Sequence, residues 1–192
     1  MLKPQDFENV QAFEGFTPLE VGGHLCKIMN VEETKSRQNK DMIVIYLDTD
    51  KTDKQPEYFT QQYKSNQKAD KKWSNNAIVR QLVLDADGNT NRGFKTFIEM
   101  VEQCNNGFKV QWGDNFAACF KGKLVGGVFG REEYLNSYGE SKFTVKFQSF
   151  RTIEDVKKGI EPPKDKLLNP SENSNASGFD LTPVDGGDMP FN

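Results

Sequence analysis

The sequence predicts a mainly β fold with one main helix. Five or six segments of the 192-residue chain are rich in β-branched and aromatic residues and are bounded by turn residues, which is typical of strands. One segment, residues 93–104, has apolar side chains at helical spacing instead. The last thirty residues are mostly Asn, Ser, Gly, Pro and Asp, which bury too little apolar surface to order, so they predict a disordered C-terminal tail.

The clearest strand pair is a hairpin near the start of the chain. Residues 22–33 and 41–48 are two apolar, branched runs, and the short polar segment between them favours an antiparallel pair. This connecting loop, residues 34–40, carries three cations and no acid: Lys35, Arg37 and Lys40. A basic loop that projects from the end of a sheet indicates a binding surface for an anionic ligand.

The other elements follow the same two periodicities along the chain. Residues 143, 145 and 147 alternate with polar neighbours, as in a half-buried strand. The predicted elements after the hairpin are an extended segment at 58–64, a strand at 77–84, the helix at 93–104, a short helical turn around 115–120, strands at 122–134 and 142–151, and a short helix at 153–159.

This order predicts an OB-fold-like small Greek-key barrel. If residues 58–64 form an edge strand or part of a long loop, the order is β-β-β-α-β-β, with the helix between the third and fourth strands. A β-sandwich is the competing architecture, because element order alone does not exclude it. The predicted organisation is an N-terminal arm packed on the body (residues 1–21), the barrel domain (22–162) and the acidic tail (163–192).

Composition indicates a cytoplasmic protein. The chain is 35% hydrophobic and 28% charged, and no apolar run approaches the roughly 20 residues that span a bilayer. The N-terminus lacks the apolar stretch and cleavage site of a secretory signal. Three cysteines, an odd number without paired spacing, fit a reducing compartment better than secretion. We therefore expect no membrane partner.

The net charge of −3 conceals an uneven distribution. Residues 163–192 contain two lysines and five acids, which account for the whole excess, so the body is neutral. Within it, residues 35–80 contain ten basic and six acidic side chains. The distribution allows a nucleic-acid site but does not establish one.

Signatures of catalysis and of metal sites are weak. The single histidine, His24, lies inside a predicted strand, where a packed or surface imidazole is expected instead of a catalytic one. The sequence contains no Cys-x-x-Cys pair, so a zinc site is not expected. Residues 85–89 resemble the start of a calcium loop, but Thr90 replaces its glycine, so a plain strand-to-helix turn is the better interpretation. The glycines at 126–130 indicate a bulge or a close backbone approach. We expect neither enzymatic activity nor a cofactor or metal. The alternative among enzymes is a nuclease whose acidic residues, scattered in the sequence, converge in space.

Aromatic and basic residues interleave in one region, as single-stranded DNA binding requires: cations follow the backbone while aromatic rings stack on bases. This pattern predicts a groove whose walls are residues 34–40 and residues 58–73. The alternative is that the rings belong to the core and the lysines only solvate loops. The predicted DNA-binding residues are Lys35, Arg37, Lys40, Tyr58, Tyr63, Lys71, Lys72, Trp73 and Arg80.

The end of the chain carries a resemblance. Asp188-Met189-Pro190-Phe191 is similar to the tip of bacterial single-stranded DNA-binding proteins, in which acids precede an apolar residue, Pro and Phe. In this sequence Asn192 follows the phenylalanine. The resemblance implies that the tip docks on basic, apolar pockets of replication and recombination proteins. The predicted partner-binding residues are Asp185, Asp188, Met189, Pro190 and Phe191.

The body resembles a family of small proteins that phages and prophages of Gram-positive bacteria encode. The resemblance covers about residues 15–160 and depends on strand patterns at 22–28, 36–45 and 123–129. It implies a non-enzymatic, sequence-tolerant single-stranded DNA-binding protein for phage replication and recombination in the bacterial host cytoplasm. Homo-oligomers are compatible with it. The alternative function is a protein-interaction adaptor, or an inhibitor of a host enzyme, without direct DNA binding.

Overall fold

The computed structural model describes residues 1–9 and 17–168. Its strands are β1 (Gly22–Lys35), β2 (Asp41–Thr49), β3 (Ile78–Leu82), β4 (Leu124–Leu135) and β5 (Ser141–Arg151). Its helices are α1 (Tyr58–Ser65), α2 (Arg92–Cys104) and α3 (Ile153–Lys158), with 3₁₀ turns at Asn75–Ala77 and Ala118–Phe120. The structure confirms the predicted hairpin, the strand predicted at 77–84 and the main helix. It also confirms the turn near residue 118, the last two strands and the short final helix.

The five strands form one antiparallel sheet in the order β3-β2-β1-β4-β5. The outer strands β3 and β5 do not pair, but Asn76 Nδ2, just before β3, donates to Thr144 Oγ1 of β5 over 2.7 Å. The mainly β prediction is confirmed. A partly open, OB-like barrel agrees with this order and with a helix between β3 and β4. The described residues contain one sheet, where a β-sandwich needs two.

The core lies between the sheet and α2. Phe97 of α2 is fully buried, with its ring centroid 5.0 Å from that of Phe120 and 5.1 Å from that of Phe150 in β5. Helix α2 begins after Asn91, whose side chain accepts a hydrogen bond from the Gly93 N–H. The apolar spacing that predicted the helix therefore also fixes the face that it buries.

The prediction of an extended segment at residues 58–64 is wrong, because these residues form α1. The carboxylate of Asp48, at the end of β2, accepts hydrogen bonds from the Phe59 N–H (2.8 Å) and the Thr60 N–H (3.2 Å). Side chains at the end of β2 thus satisfy the first three N–H groups of the helix, because the Tyr58 N–H donates to Thr49 Oγ1. Phe59 is 2% exposed and anchors α1 on the core. Burial raises the pKa of Asp48.

The glycines of β4 permit close backbone approaches, as predicted. A side chain at Gly126 would place a Cβ 2.6 Å from the carbonyl oxygen of Thr152, at the start of α3. The pairing shifts from Val128–Ser149 to Phe129–Phe147, so the extra residue, Gln148, lies in the partner strand β5. Residues 163–168, assigned to the tail by prediction, lie on the body: Lys166 N–H donates to Arg131 O, and Glu133 N–H donates to Lys166 O.

Candidate nucleic-acid interface

One face of β1, β2 and β3 lies opposite the fully buried face, although its β2 residues, Met42, Val44 and Tyr46, are themselves only 8–9% exposed. Directly opposed residues of an antiparallel pair share a face, and the inward-facing Ile43, Ile45 and Leu47 are at most 1% exposed. The opposed sets on the other side define what we call the outer face: Asn30, Tyr46 and Ile78; Glu32, Val44 and Arg80; Thr34, Met42 and Leu82.

A polar network occupies the centre of the outer face. The Tyr46 hydroxyl donates to Glu32 Oε2 over 3.0 Å, and Asn30 Nδ2 donates to Glu32 Oε1 over 3.2 Å. Burial, the hydrogen bond to Glu32 and the charge of that carboxylate raise the pKa of Tyr46 to about 12, against the opposing charge of Arg80. The central carboxylate would repel phosphate, so cations at the ends of this face are better placed for a DNA backbone.

The raised pKa of Tyr46 predicts alkaline instability. The folded-state pKa lies above the ordinary value of 10, so this contribution to stability is present below pH 10 and is lost between pH 10 and 12. Urea unfolding from pH 8 to 12 measures it. We expect Tyr46→Phe to flatten the alkaline decline, and Tyr138→Phe, at a ring that is 87% exposed, to leave it unchanged. Equal declines in the wild type and Tyr46→Phe would contradict the assignment.

Two hairpin turns flank the outer face. The turn at residues 36–40 adjoins the Thr34–Met42 end of it. The hydrogen bond from Asn76 to Thr144 brings the β4–β5 hairpin to the opposite end, next to Ile78. From Asp41 to Tyr46 strand β2 rises about 17 Å, at roughly 3.3 Å per residue. A linear ligand on this face would therefore meet the basic turn at one end and strand β5 of the β4–β5 hairpin at the other.

The β4–β5 tip exposes aromatic rings. Tyr138 is 87% exposed, Phe143 44% and Tyr134 43%. The guanidinium of Arg131 lies 4.7 Å from the centroid of the Phe143 ring, and Arg131 also pairs with Asp165. Lys142 pairs with Glu140, its Nζ 3.3 Å from Oε2. Exposed rings beside cations are what stacking on single-stranded DNA requires.

None of these three rings is among the predicted stacking residues. The alternation of the last strand predicts a half-buried face for Phe143, Val145 and Phe147, but β4 and β5 continue beyond the last pairing of β4 with β1, between Gly22 and Phe129. Phe143 therefore lies on an arm with less of the core beneath it. Tyr138 lies two residues after Asn136 in the turn. The Asn136 side chain accepts hydrogen bonds from the Tyr138 and Glu140 N–H groups, both over 2.9 Å. An aromatic residue within a turn motif is the signal that could have identified it.

The predicted cations of the first turn lie where they were expected. Lys35, Arg37 and Lys40 are exposed at the β1–β2 turn, and Lys35 pairs with Asp41. Arg80 is half-buried on the outer face, beside Val44. Lys71 and Lys72 lie elsewhere, in the segment between α1 and β3; Lys71 Nζ is 4.8 Å from the centroid of the Tyr63 ring.

The prediction that Trp73 is an exposed stacking residue is wrong. Its ring is 5% exposed, and its Nε1 donates to Leu47 O over 3.0 Å, so it belongs to the core. Tyr63 is half-buried, with its ring centroid 5.8 Å from that of Trp73. Tyr58 is half-buried as well, and its hydroxyl accepts from the Leu19 N–H.

The predicted groove is also wrong. Its aromatic wall contacts the Leu47–Thr49 end of β2, whereas the basic turn adjoins Asp41 at the other end. Six residues of strand separate Leu47 from Asp41, or about 20 Å. The partner-binding residues predicted for the tail, Asp185, Asp188, Met189, Pro190 and Phe191, lie outside the described residues.

His24 is a packed histidine, as expected. It is fully buried, its Nδ1 lies 2.8 Å from Asp53 Oδ2, and its Nε2 lies 2.9 Å from Glu20 O. Burial alone would raise the pKa of Asp53, but hydrogen bonds from His24 and from the Gln55 and Leu25 N–H groups hold it below its ordinary value. In residues 1–9 and 17–168, we find no metal-binding group of three His, Cys, Asp or Glu residues.

Residues 85–89 form a turn, as predicted, in which the Asp85 side chain accepts from the Asp87 and Asn89 N–H groups. Within the described part of the chain, every helix is too short or too polar to cross a membrane.

No protein-family model matches the sequence, and no curated protein has significant similarity to it. The resemblances to phage and bacterial single-stranded DNA-binding proteins thus stay predictions.

Proposed function

We propose that this protein binds single-stranded DNA without strong sequence preference and without catalysis. The observation that carries the proposal is the β4–β5 tip, near one end of the outer face, where three rings are exposed and the Arg131 guanidinium lies over one of them, Phe143. The basic turn of Lys35, Arg37 and Lys40 flanks the other end. Partly open five-stranded barrels commonly use this face and these two loops for oligonucleotides.

In the proposed complex the strand follows β2 and β3 from one turn to the other. Phosphates contact the cations of the first turn and Lys142, and bases stack on Tyr138 and Phe143. Tyr134 pairs with Lys142 and therefore lies on the opposite face of the hairpin from Phe143. The Glu32–Tyr46 network then faces base edges, where a carboxylate is tolerated, instead of phosphates. The expected site size is within the roughly 4–16 nucleotides typical of one such fold.

The resemblances of the body and of the C-terminal tip to single-stranded DNA-binding proteins suggest the process and compartment in which this activity is used. We propose phage replication or recombination in the cytoplasm of a bacterial host, with the Asp188-Met189-Pro190-Phe191 tip recruiting partner proteins.

Fluorescence anisotropy of labelled oligo(dT) tests the proposal. The full chain should bind the single strand and should bind a duplex of equal length more weakly, because a duplex has no bases free to stack. Absence of binding at low salt, or equal affinity for the duplex, would contradict the proposal.

Neutralising the basic turn should change the salt dependence. Lys35→Gln, Arg37→Gln and Lys40→Gln together remove three phosphate contacts, so the log–log slope of affinity against salt should become shallower by about 2, at roughly 0.7 per contact. A matched variant with Lys51→Gln, Lys95→Gln and Lys157→Gln removes three exposed cations elsewhere and should retain the wild-type slope. Equal slopes in the two triple variants would exclude the turn from the interface.

A further inference from the structure

A cavity of about 440 Å³ lies at the base of the β1–β2 hairpin. Its volume falls within the roughly 300–1,000 Å³ of ligand pockets, which are mostly apolar with a few polar groups. The hairpin contributes one side, and the start of α2 with the segment before Phe116 contributes the other. Its apolar lining consists of Met42, Ile43, Val83, Leu84, Phe94, Trp112 and Phe116.

Trp112 is an exposed ring on a rigid base. It is 66% exposed, yet it stacks on Phe116, with ring centroids 5.3 Å apart and an interplanar angle of 19°. Phe116 is buried and contacts Phe120 of the core at 5.2 Å. The preceding chain is tied to α2 by the hydrogen bond from Val110 N–H to Glu102. Tryptophans held in this way are frequent anchors of protein interfaces.

The charged lining of the cavity is acidic. Glu33, Asp41 and Asp114 line it and are exposed, and Asp41 pairs with Lys35. Among the described residues, none that lines the cavity is Lys or Arg. Carboxylates beside an aromatic face favour a cation, which the ring also attracts through its π-electrons. The same carboxylates disfavour a phosphate backbone, so Trp112 is a poor stacking site for DNA despite its exposure.

We propose that this cavity binds a basic segment of a partner protein, in which an arginine or lysine stands next to an apolar side chain. The cationic group lies on the Trp112 face within reach of Glu33 and Asp114, and the apolar side chain enters between Met42 and Phe94. This site adjoins the DNA interface, because Thr34 and Met42 belong both to its lining and to the outer face. It differs from the tail tip because it recruits basic partners by an acidic surface.

A labelled peptide of three arginines alternating with three leucines is the probe, with glutamates replacing the arginines in the control peptide. The full chain should bind the basic peptide and not the acidic one. Trp112→Ala should weaken binding about tenfold, as for an interface anchor. Glu33→Gln with Asp114→Asn should weaken it by a similar factor while retaining the side-chain shapes.

Glu154→Gln with Asp155→Asn removes two exposed acids from α3 and controls for net charge. Equal peptide affinity of this variant and the Glu33/Asp114 variant would overturn the proposal, as would equal binding of the acidic peptide. Loss of oligo(dT) affinity in Trp112→Ala with unchanged peptide affinity would instead assign the ring to DNA. Failure of the chain to bind oligo(dT) at all would leave the peptide result intact.

Discussion

Replacing Tyr138 and Phe143 together with alanine is expected to weaken oligo(dT) binding by about 30-fold or more. Each base stacked on an aromatic ring contributes roughly 1–3 kcal/mol, so the loss of two rings removes at least about 2 kcal/mol. Both rings are exposed at the β4–β5 tip. Anisotropy titration at one salt concentration measures the change.

The matched control retains both rings. Tyr138→Phe with Phe143→Tyr should bind oligo(dT) within about threefold of the wild type, because stacking does not need the hydroxyl. Urea unfolding should show that the alanine variant is folded, since exposed substitutions usually change stability by about 0.5 kcal/mol or less. A folded alanine variant with wild-type affinity would show that DNA does not stack on this tip.

Phe97→Ala is expected to lower the free energy of unfolding by about 3–5 kcal/mol. Phe97 is fully buried between Phe120 and Phe150, and its removal leaves a cavity where α2 meets the sheet. Equilibrium urea denaturation measures the loss. The corresponding change at an exposed ring, Phe7→Ala, serves as the control, because Phe7 is 59% exposed.

A loss below about 1 kcal/mol for Phe97→Ala would contradict the packing of α2 on β5. Under conditions where the variant remains folded, its affinity for oligo(dT) should equal that of the wild type, because Phe97 is buried away from the surface. Phe97→Ala is thus expected to lower the free energy of unfolding without changing the affinity for oligo(dT).

Elements with a strong local pattern could be predicted from the sequence. The β1–β2 hairpin combines two branched apolar runs with a polar turn, and α2 has both apolar spacing and a capping asparagine. The strand between them and the last two strands are bounded by turn residues. Each of these patterns lies within or directly beside the element that it predicts. The prediction therefore did not depend on contacts with residues distant in sequence.

Helix α1 could not be predicted in this way, because its stabilising contacts are distant in sequence. The aromatic and β-branched content of residues 58–64 is typical of a strand. The Asp48 carboxylate, which accepts from its first N–H groups, and the burial of Phe59 outweigh that preference. Trp73 illustrates the same limit: nothing local shows that its indole N–H donates to Leu47 O.

The candidate site was only partly predictable. A turn places charged side chains in solvent, so the positions of Lys35, Arg37 and Lys40 followed from the hairpin. Exposure of an aromatic ring depends on which strands extend over it. Phe143 is exposed because β4 and β5 continue past β1, and Trp112 because it packs on the outside of Phe116. Neither relation can be read from residue spacing.

Photocrosslinking with oligo(dT) that carries 5-iodouracil tests the central claim most directly, since this base couples to an aromatic ring that stacks on it. Mass spectrometry of the full chain then identifies the peptide. We expect crosslinks at Tyr138 or Phe143, the two rings on which bases are proposed to stack. Crosslinks confined to Trp112, or to rings outside the β4–β5 tip, would contradict the proposed interface.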